Sequence, residues 1–163
     1  MERNGFSLLE LIVVMVICMT LIVIGTLSFR GWNDKSKIES QFKSMYADLM
    51  GVRTQALYRK KGRSVRITAA GYSIYSSNNV AAAPIKQTAL NVRVTTNPAN
   101  LRIDFDPTGI ATLNSDTSIS DSYVCTETNA SKAVINSIIV SQTRIQIGSL
   151  SGSGCNGANV RPQ

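Results

Sequence analysis

Gly5-Phe6-Ser7-Leu8-Leu9-Glu10-Leu11-Ile12-Val13-Val14 sets a single glutamate near the start of an otherwise apolar run. From Phe6 to Leu27 the only other polar side chains are the hydroxyls of Ser7, Thr20 and Thr26, and Gly25 falls near the end. At 1.5 Å per residue, about 22 residues in a helix match a hydrocarbon layer of about 30 Å. A carboxylate held at that depth costs about 2.5 to 3.5 kcal/mol on insertion scales, so Glu10 needs a partner. A secretory signal would follow its apolar core with a small-residue cleavage site. Here Phe29-Arg30-Gly31-Trp32 comes next, and Trp32 suits a membrane interface. The segment reads as a single-pass anchor with its short N-terminus in the cytoplasm, although Glu2 offsets the orienting charge of Arg3.

Glu10 lies one helical turn after Phe6, so a free α-amine on Phe6 would be within reach of its carboxylate. Cleavage after Gly5 would create that amine. Gly5-Phe6-Ser7-Leu8-Leu9-Glu10 followed by the apolar run resembles the class III signal of type IV pilins and type II secretion pseudopilins. The resemblance implies a leader, residues 1–5, removed between Gly5 and Phe6 by a membrane prepilin peptidase that also N-methylates Phe6. It further implies that Glu10 pairs with the N-terminal amine of a neighbouring subunit in a growing filament. Major pilins usually carry a proline about four turns beyond this Glu. Leu27 stands there instead, with Gly25 and Gly31 nearby, which leans toward a minor component.

Beyond Arg30 the pattern becomes amphipathic. Ile38, Phe42, Met45, Leu49, Val52 and Ala56 recur at intervals of three and four, the period of a helix with one buried face. No proline interrupts residues 6–58, so one stem helix is expected, with a transmembrane half at 6–29 and an amphipathic half at 30–60. Lys60-Lys61-Gly62 should end it, with Gly62 as a left-handed cap. The alternating runs Ser64–Thr68, Tyr72–Tyr75, Leu90–Val94 and Leu101–Phe105 read as strands, as do Ile110–Leu113, Ser137–Ser141 and Arg144–Ile147. Asp106-Pro107-Thr108-Gly109 is a turn, Pro fixing one φ and Gly permitting a positive one. The fold class is α+β: a long N-terminal helix packed on a mostly antiparallel β domain at 61–163.

The order of these pieces narrows the resemblance. Met45-Tyr46-Ala47-Asp48-Leu49 through Ala56, then Val65-Arg66-Ile67, then Ile103-Asp104-Phe105-Asp106-Pro107-Thr108-Gly109, are similar to the helix, first strand and strand-turn of the GspH/FimT group. Ile138 to Ser141 before Thr143-Arg144-Ile145-Gln146 resembles its closing strands. The group contains minor pilins and H-type pseudopilins, and its members are thought to help initiate assembly near a filament tip. The implied partners are other pilin or pseudopilin subunits, prepilin peptidase and inner-membrane lipid, with the C-terminal domain in the periplasm. Either a pilus or a secretion pseudopilus fits.

Cys18 lies in the apolar run. Cys125 and Cys155 fall in the C-terminal domain, and if that domain lies in an oxidising periplasm their pairing is favoured; two free thiols are the alternative. Asn129-Ala130-Ser131 fits a glycosylation sequon, a pattern short enough to arise by chance. The chain has no histidine and no CxxC pair, so neither a metal centre nor a cofactor is expected. Asp104 and Asp106 alternate with Ile103 and Phe105, so both are expected to face solvent, and no nucleophile with its base lies nearby. No catalytic set is expected. Net charge is +7 but uneven: nine bases and no acids lie between Asp48 and Asp104. Such a flank suits a phosphate or anionic-lipid surface as well as plain solvent. Some FimT-like pilins bind DNA near a C-terminal Gly-Arg-x-Arg; here only Arg144 of that pattern is present, with Arg161 as a second cation.

Overall fold

A computed structural model describes residues 7–127 and 133–163, leaving out the side chains of 24–30. Gly5, Phe6 and the sequon Asn129-Ala130-Ser131 lie outside the described residues. One helix, α1, runs Leu8–Arg59. The chain divides into two compact units, Met1–Asp34 and Lys35–Gln163.

In the second unit, the part of α1 from Lys35 onward presents Ile38, Phe42, Met45, Leu49, Val52 and Ala56 to a single core, and all six are buried. Their alternating spacing of four and three keeps them on one stripe, with Tyr46 and Met50 packed half-buried beside it. Among the described residues ten strands follow: β1 (Arg63–Thr68), β2 (Gly71–Tyr75), β3 (Lys86–Ala89), β4 (Val94–Asn97), β5 (Arg102–Phe105), β6 (Ala111–Leu113), β7 (Asp121–Thr126), β8 (Ser137–Ser141), β9 (Ile145–Leu150) and β10 (Val160–Pro162). They form two antiparallel five-stranded sheets, ordered β3-β2-β1-β5-β6 and β10-β9-β8-β7-β4. The first sheet buries Val65, Ile67, Ile103 and Phe105 against the helix; the second adds Val94, Val124, Ile138 and Val140 to the same core. Alternation along β1 leaves Arg66 and Thr68 on the outer face.

Three expectations change. Leu90–Val94 is not one strand: β3 ends at Ala89 and β4 begins at Val94, each in a different sheet. The chain between them crosses from one sheet to the other, and Gln41 of α1 anchors it by donating to the Val92 carbonyl at 2.7 Å and accepting its N–H at 2.9 Å. The helix end is also different. Lys60, with φ 52°, takes the left-handed position, not Gly62. Gly62 is needed for a close approach instead, since a Cβ there would lie 2.6 Å from Asn78 Oδ1. The third change concerns Asp104, described below. The Asp106–Gly109 turn forms as expected, with Gly109 at φ 78° and the Asp106 carboxylate accepting the N–H groups of Thr108 and Ile110. Arg53 Nε donates to the Gly109 carbonyl at 2.9 Å, tying this turn to the helix.

Cys125 and Cys155 are joined in a disulfide, with Cα atoms 5.7 Å apart. The bridge fixes the Gly/Ser-rich loop between β9 and β10 to β7, and Asn97 Nδ2 adds a bond to the Cys155 carbonyl at 2.8 Å.

Candidate functional site

The N-terminal unit carries the residues on which the sequence reading turns. Its helix opens with Ser7, whose carbonyl accepts the N–H of Glu10 at 3.0 Å and of Leu11 at 3.3 Å. This puts Glu10 in the first turn of α1, where a carboxylate interacts favourably with the positive end of the helix dipole, by about 0.3–1 kcal/mol. That is the plain structural role for the residue. It does not account for the surroundings. Every described side chain from Leu8 to Val23 is exposed, including Leu8 at 77% and Ile22 at 64%. Around the helix, therefore, an apolar surface lacks the one-sided burial of residues 38–56. A carboxylate set in such a surface has no ion-pair partner among the described residues. The free thiol of Cys18 lies on the same surface and is exposed. Among the described residues no helix is long and apolar enough to cross a membrane; the described side chains of this apolar run end at Val23. Leader junction and N-methylation position, Gly5 and Phe6, fall outside the described residues.

The two candidate DNA-contacting cations are not brought together. Arg144 is exposed in the turn between β8 and β9, its carbonyl accepting the Ser141 N–H at 2.8 Å. Arg161 is exposed on β10 and pairs in register with Ser149. Arg144 precedes Ser149 by five positions (149 − 144), roughly 16 Å along β9 at about 3.3 Å per residue.

Asp104 and Asp106 part company. Asp106 is half-buried in its turn. Its slight burial would raise the carboxyl's pKa, but the Thr108 hydroxyl and the N–H groups of Ile110, Thr108 and Gly109 outweigh that and hold it below the usual range. Asp104, expected in solvent, is buried at 8% exposure on the outer face of the first sheet. It accepts from Ser64 Oγ and, at 2.9 Å, from Arg102 Nε. Burial follows from its place in the sheet: β5 lies between β1 and β6, and the long Arg102 side chain folds over the shorter acid. Alternation correctly put Asp104 on the face away from the core; what it could not show was that this face is covered. Among the described residues no three His, Cys, Asp or Glu side chains gather in a metal-holding group.

A second charged cluster, which sequence reasoning missed, joins the helix to the first sheet. Asp48 of α1 accepts from Tyr72 Oη at 2.5 Å and from Lys86 Nζ at 2.6 Å. Burial pushes the Tyr72 hydroxyl up, to about 12, and the Asp48 carboxylate beside it adds to the rise. Burial would also raise Asp48, but the bonds from Lys86 and Tyr72 and the Lys86 charge outweigh it and leave its pKa lowered. Tyr72 and Lys86 are 24 and 38 positions from Asp48, too distant for any local pattern to link them.

Residues 1–26 match the prokaryotic N-terminal methylation motif. No curated protein matches the chain in sequence. Among solved structures, the chain is similar to a crystal structure of the type IV minor pilin FimU of Pseudomonas aeruginosa, with TM-score 0.57, 16% identity, and coverage of 77% of this chain and 97% of that one. A second crystal form of the same protein gives TM-score 0.52 and 17% identity, covering 72% and 96%. The chain thus has the minor-pilin fold, a long N-terminal helix on antiparallel sheets, together with the N-methylation motif of type IV pilins.

Proposed function

We propose that the protein is a minor subunit of a bacterial type IV pilus, processed by prepilin peptidase and added to the filament through α1. In this reading the leader, residues 1–5, is cut after Gly5, Phe6 becomes the N-methylated first residue, and residues 6–29 anchor the subunit in the inner membrane with residues 61–163 in the periplasm. The observation that carries it is Glu10: an acid in an apolar helical surface, with no ion-pair partner among the described residues, inside the stretch 1–26 that matches the N-terminal methylation motif. Within lipid such a carboxylate is costly alone and is compensated by an ammonium. The ammonium is the N-terminus of a neighbouring subunit, which exists only after cleavage. Pairing therefore ties assembly to processing, since an uncleaved chain offers no amine at that depth. Contacts with other pilin subunits run along the apolar helix surface, and the subunit takes part in initiating the filament and stands at or near its tip.

Glu10→Ala tests the pairing: the variant should be cleaved normally yet incorporate at least about tenfold less into sheared filaments, the equivalent of losing about 1.4 kcal/mol per contact. Normal incorporation would contradict it. A place in a type II secretion pseudopilus is the alternative, which the operon separates: other minor pilins and a retraction ATPase beside this gene favour the pilus, a secretin-linked secretion cluster the pseudopilus.

A further inference from the structure

The outer face of the first sheet carries a polar cleft of about 420 Å³, lined by Arg66, Val80, Asn100, Arg102, Asn114 and Ser115. Arg66 of β1 and Arg102 of β5 are direct register partners across an antiparallel pair. Like charges so placed are destabilising, because their Cβ atoms sit only about 5 Å apart. Asp104 offsets one of them, holding Arg102 Nε at 2.9 Å, and the Asn78 carbonyl accepts from Arg102 Nη2 at 2.6 Å. These bonds fix the guanidinium while leaving other N–H groups uncommitted, since arginine offers five. Arg66 is exposed and forms no ion pair among the described residues.

The walls of the cleft supply further fixed donors. Asn114 Oδ1 accepts the Arg102 N–H at 2.7 Å, which leaves its amide nitrogen as a donor. Asn114 and Ser115 both have positive φ, at 50° and 60°, in a two-residue turn closed by the Leu113–Asp116 bridge. Such a turn favours glycine at its second position. A serine there accepts backbone strain and brings to the cleft a hydroxyl that donates a long bond of 3.4 Å to Asp104 Oδ2. Asn100, also at positive φ, lines the same space.

We propose that this cleft binds a small phosphorylated ligand of sugar-phosphate size. Its phosphate lies between Arg66 and the free edge of Arg102, and its hydroxyls meet Asn100, Asn114 and Ser115. A phosphate monoester carries up to two charges and three acceptor oxygens, which suits two guanidiniums better than a single carboxylate does. The volume falls within the range of small-molecule sites and well exceeds a bare anion. This proposal does not depend on the filament reading.

The test is calorimetric titration of the full chain in neutral detergent with glucose 1-phosphate, inorganic phosphate and glucose, each up to about 10 mM. Glucose 1-phosphate should bind, inorganic phosphate several-fold more weakly, and glucose not measurably. Arg66→Ala should weaken glucose 1-phosphate about tenfold or more, and Arg66→Lys less, because it keeps the charge but loses the fork. Arg66 is exposed, so both variants should melt with the wild type. No binding of glucose 1-phosphate, equal affinity for inorganic phosphate, or an Arg66→Ala variant that binds as the wild type does would each overturn the proposal.

Discussion

The two parts of α1 are built from the same backbone and opposite surfaces. From Ile38 to Ala56 the apolar residues fall on one stripe and are buried by the chain's own sheets. From Leu8 to Val23 they fall on all sides and are exposed. An amphipathic stripe is satisfied within one molecule, whereas an all-round apolar surface requires a medium or other molecules to cover it. The difference also assigns the carboxylates. Asp48, in the first of these stretches, meets Tyr72 and Lys86 of the same chain; Glu10, in the second, has no such partner among the described residues.

The sharpest way to break this contrast is truncation on each side. Phe42→Ala, at a fully buried position, should destabilise the β domain by about 3–5 kcal/mol in thermal unfolding of the detergent-solubilised protein. Ile17→Ala, half exposed, should leave that transition within about 0.5 kcal/mol of the wild type. Equal effects would mean that the apolar half also packs on the domain. Reducing Cys125–Cys155, which closes a 30-residue separation, should lower stability by about 3–4 kcal/mol on the loop-entropy scale, read as a shift of the urea midpoint. No shift would show that the β9–β10 loop is held by its other bonds alone.

The smallest effect belongs to the Asp48 cluster. Its pKa is lowered in the folded state, so its contribution is present above the unfolded value of 3.8 and fades as pH falls below it. Tyr72 is raised to about 12, so its contribution holds below pH 10 and is lost between 10 and about 12. Because the Lys86 side chain is 51% exposed, Lys86→Ala should cost under about 1 kcal/mol at pH 7 and flatten the acid limb of the stability profile. An unchanged acid limb would remove the ion pair from the account.

Periodicity made the helix core legible in the sequence, residue for residue, because a 3.6-residue repeat records which side faces inward. The same logic located β1, β2, β5 and β8 and the Gly109 turn. It failed where neighbours in space decide. Leu90–Val94 alternates like a strand, yet the chain there changes sheets, and β7 and the three-residue β10 carry too short or too mixed a pattern to stand out. Asp104 was assigned to the correct face but not to its cover, since Ser64 reaches it through strand pairing and Arg102 folds back along the same strand. The N-terminal methylation motif of residues 1–26 was legible because a chemical requirement, an acid in an apolar run, is written locally. The polar cleft on the first sheet was not, because its two arginines lie 36 positions apart (102 − 66) and meet only by register.

The central claim is that Glu10 is compensated by an ammonium created when the leader is removed. Its most direct test is the N-terminal mass and sequence of the protein isolated from its native host. The account predicts a chain beginning at N-methylated Phe6; a mature protein that still begins at Met1 would contradict it.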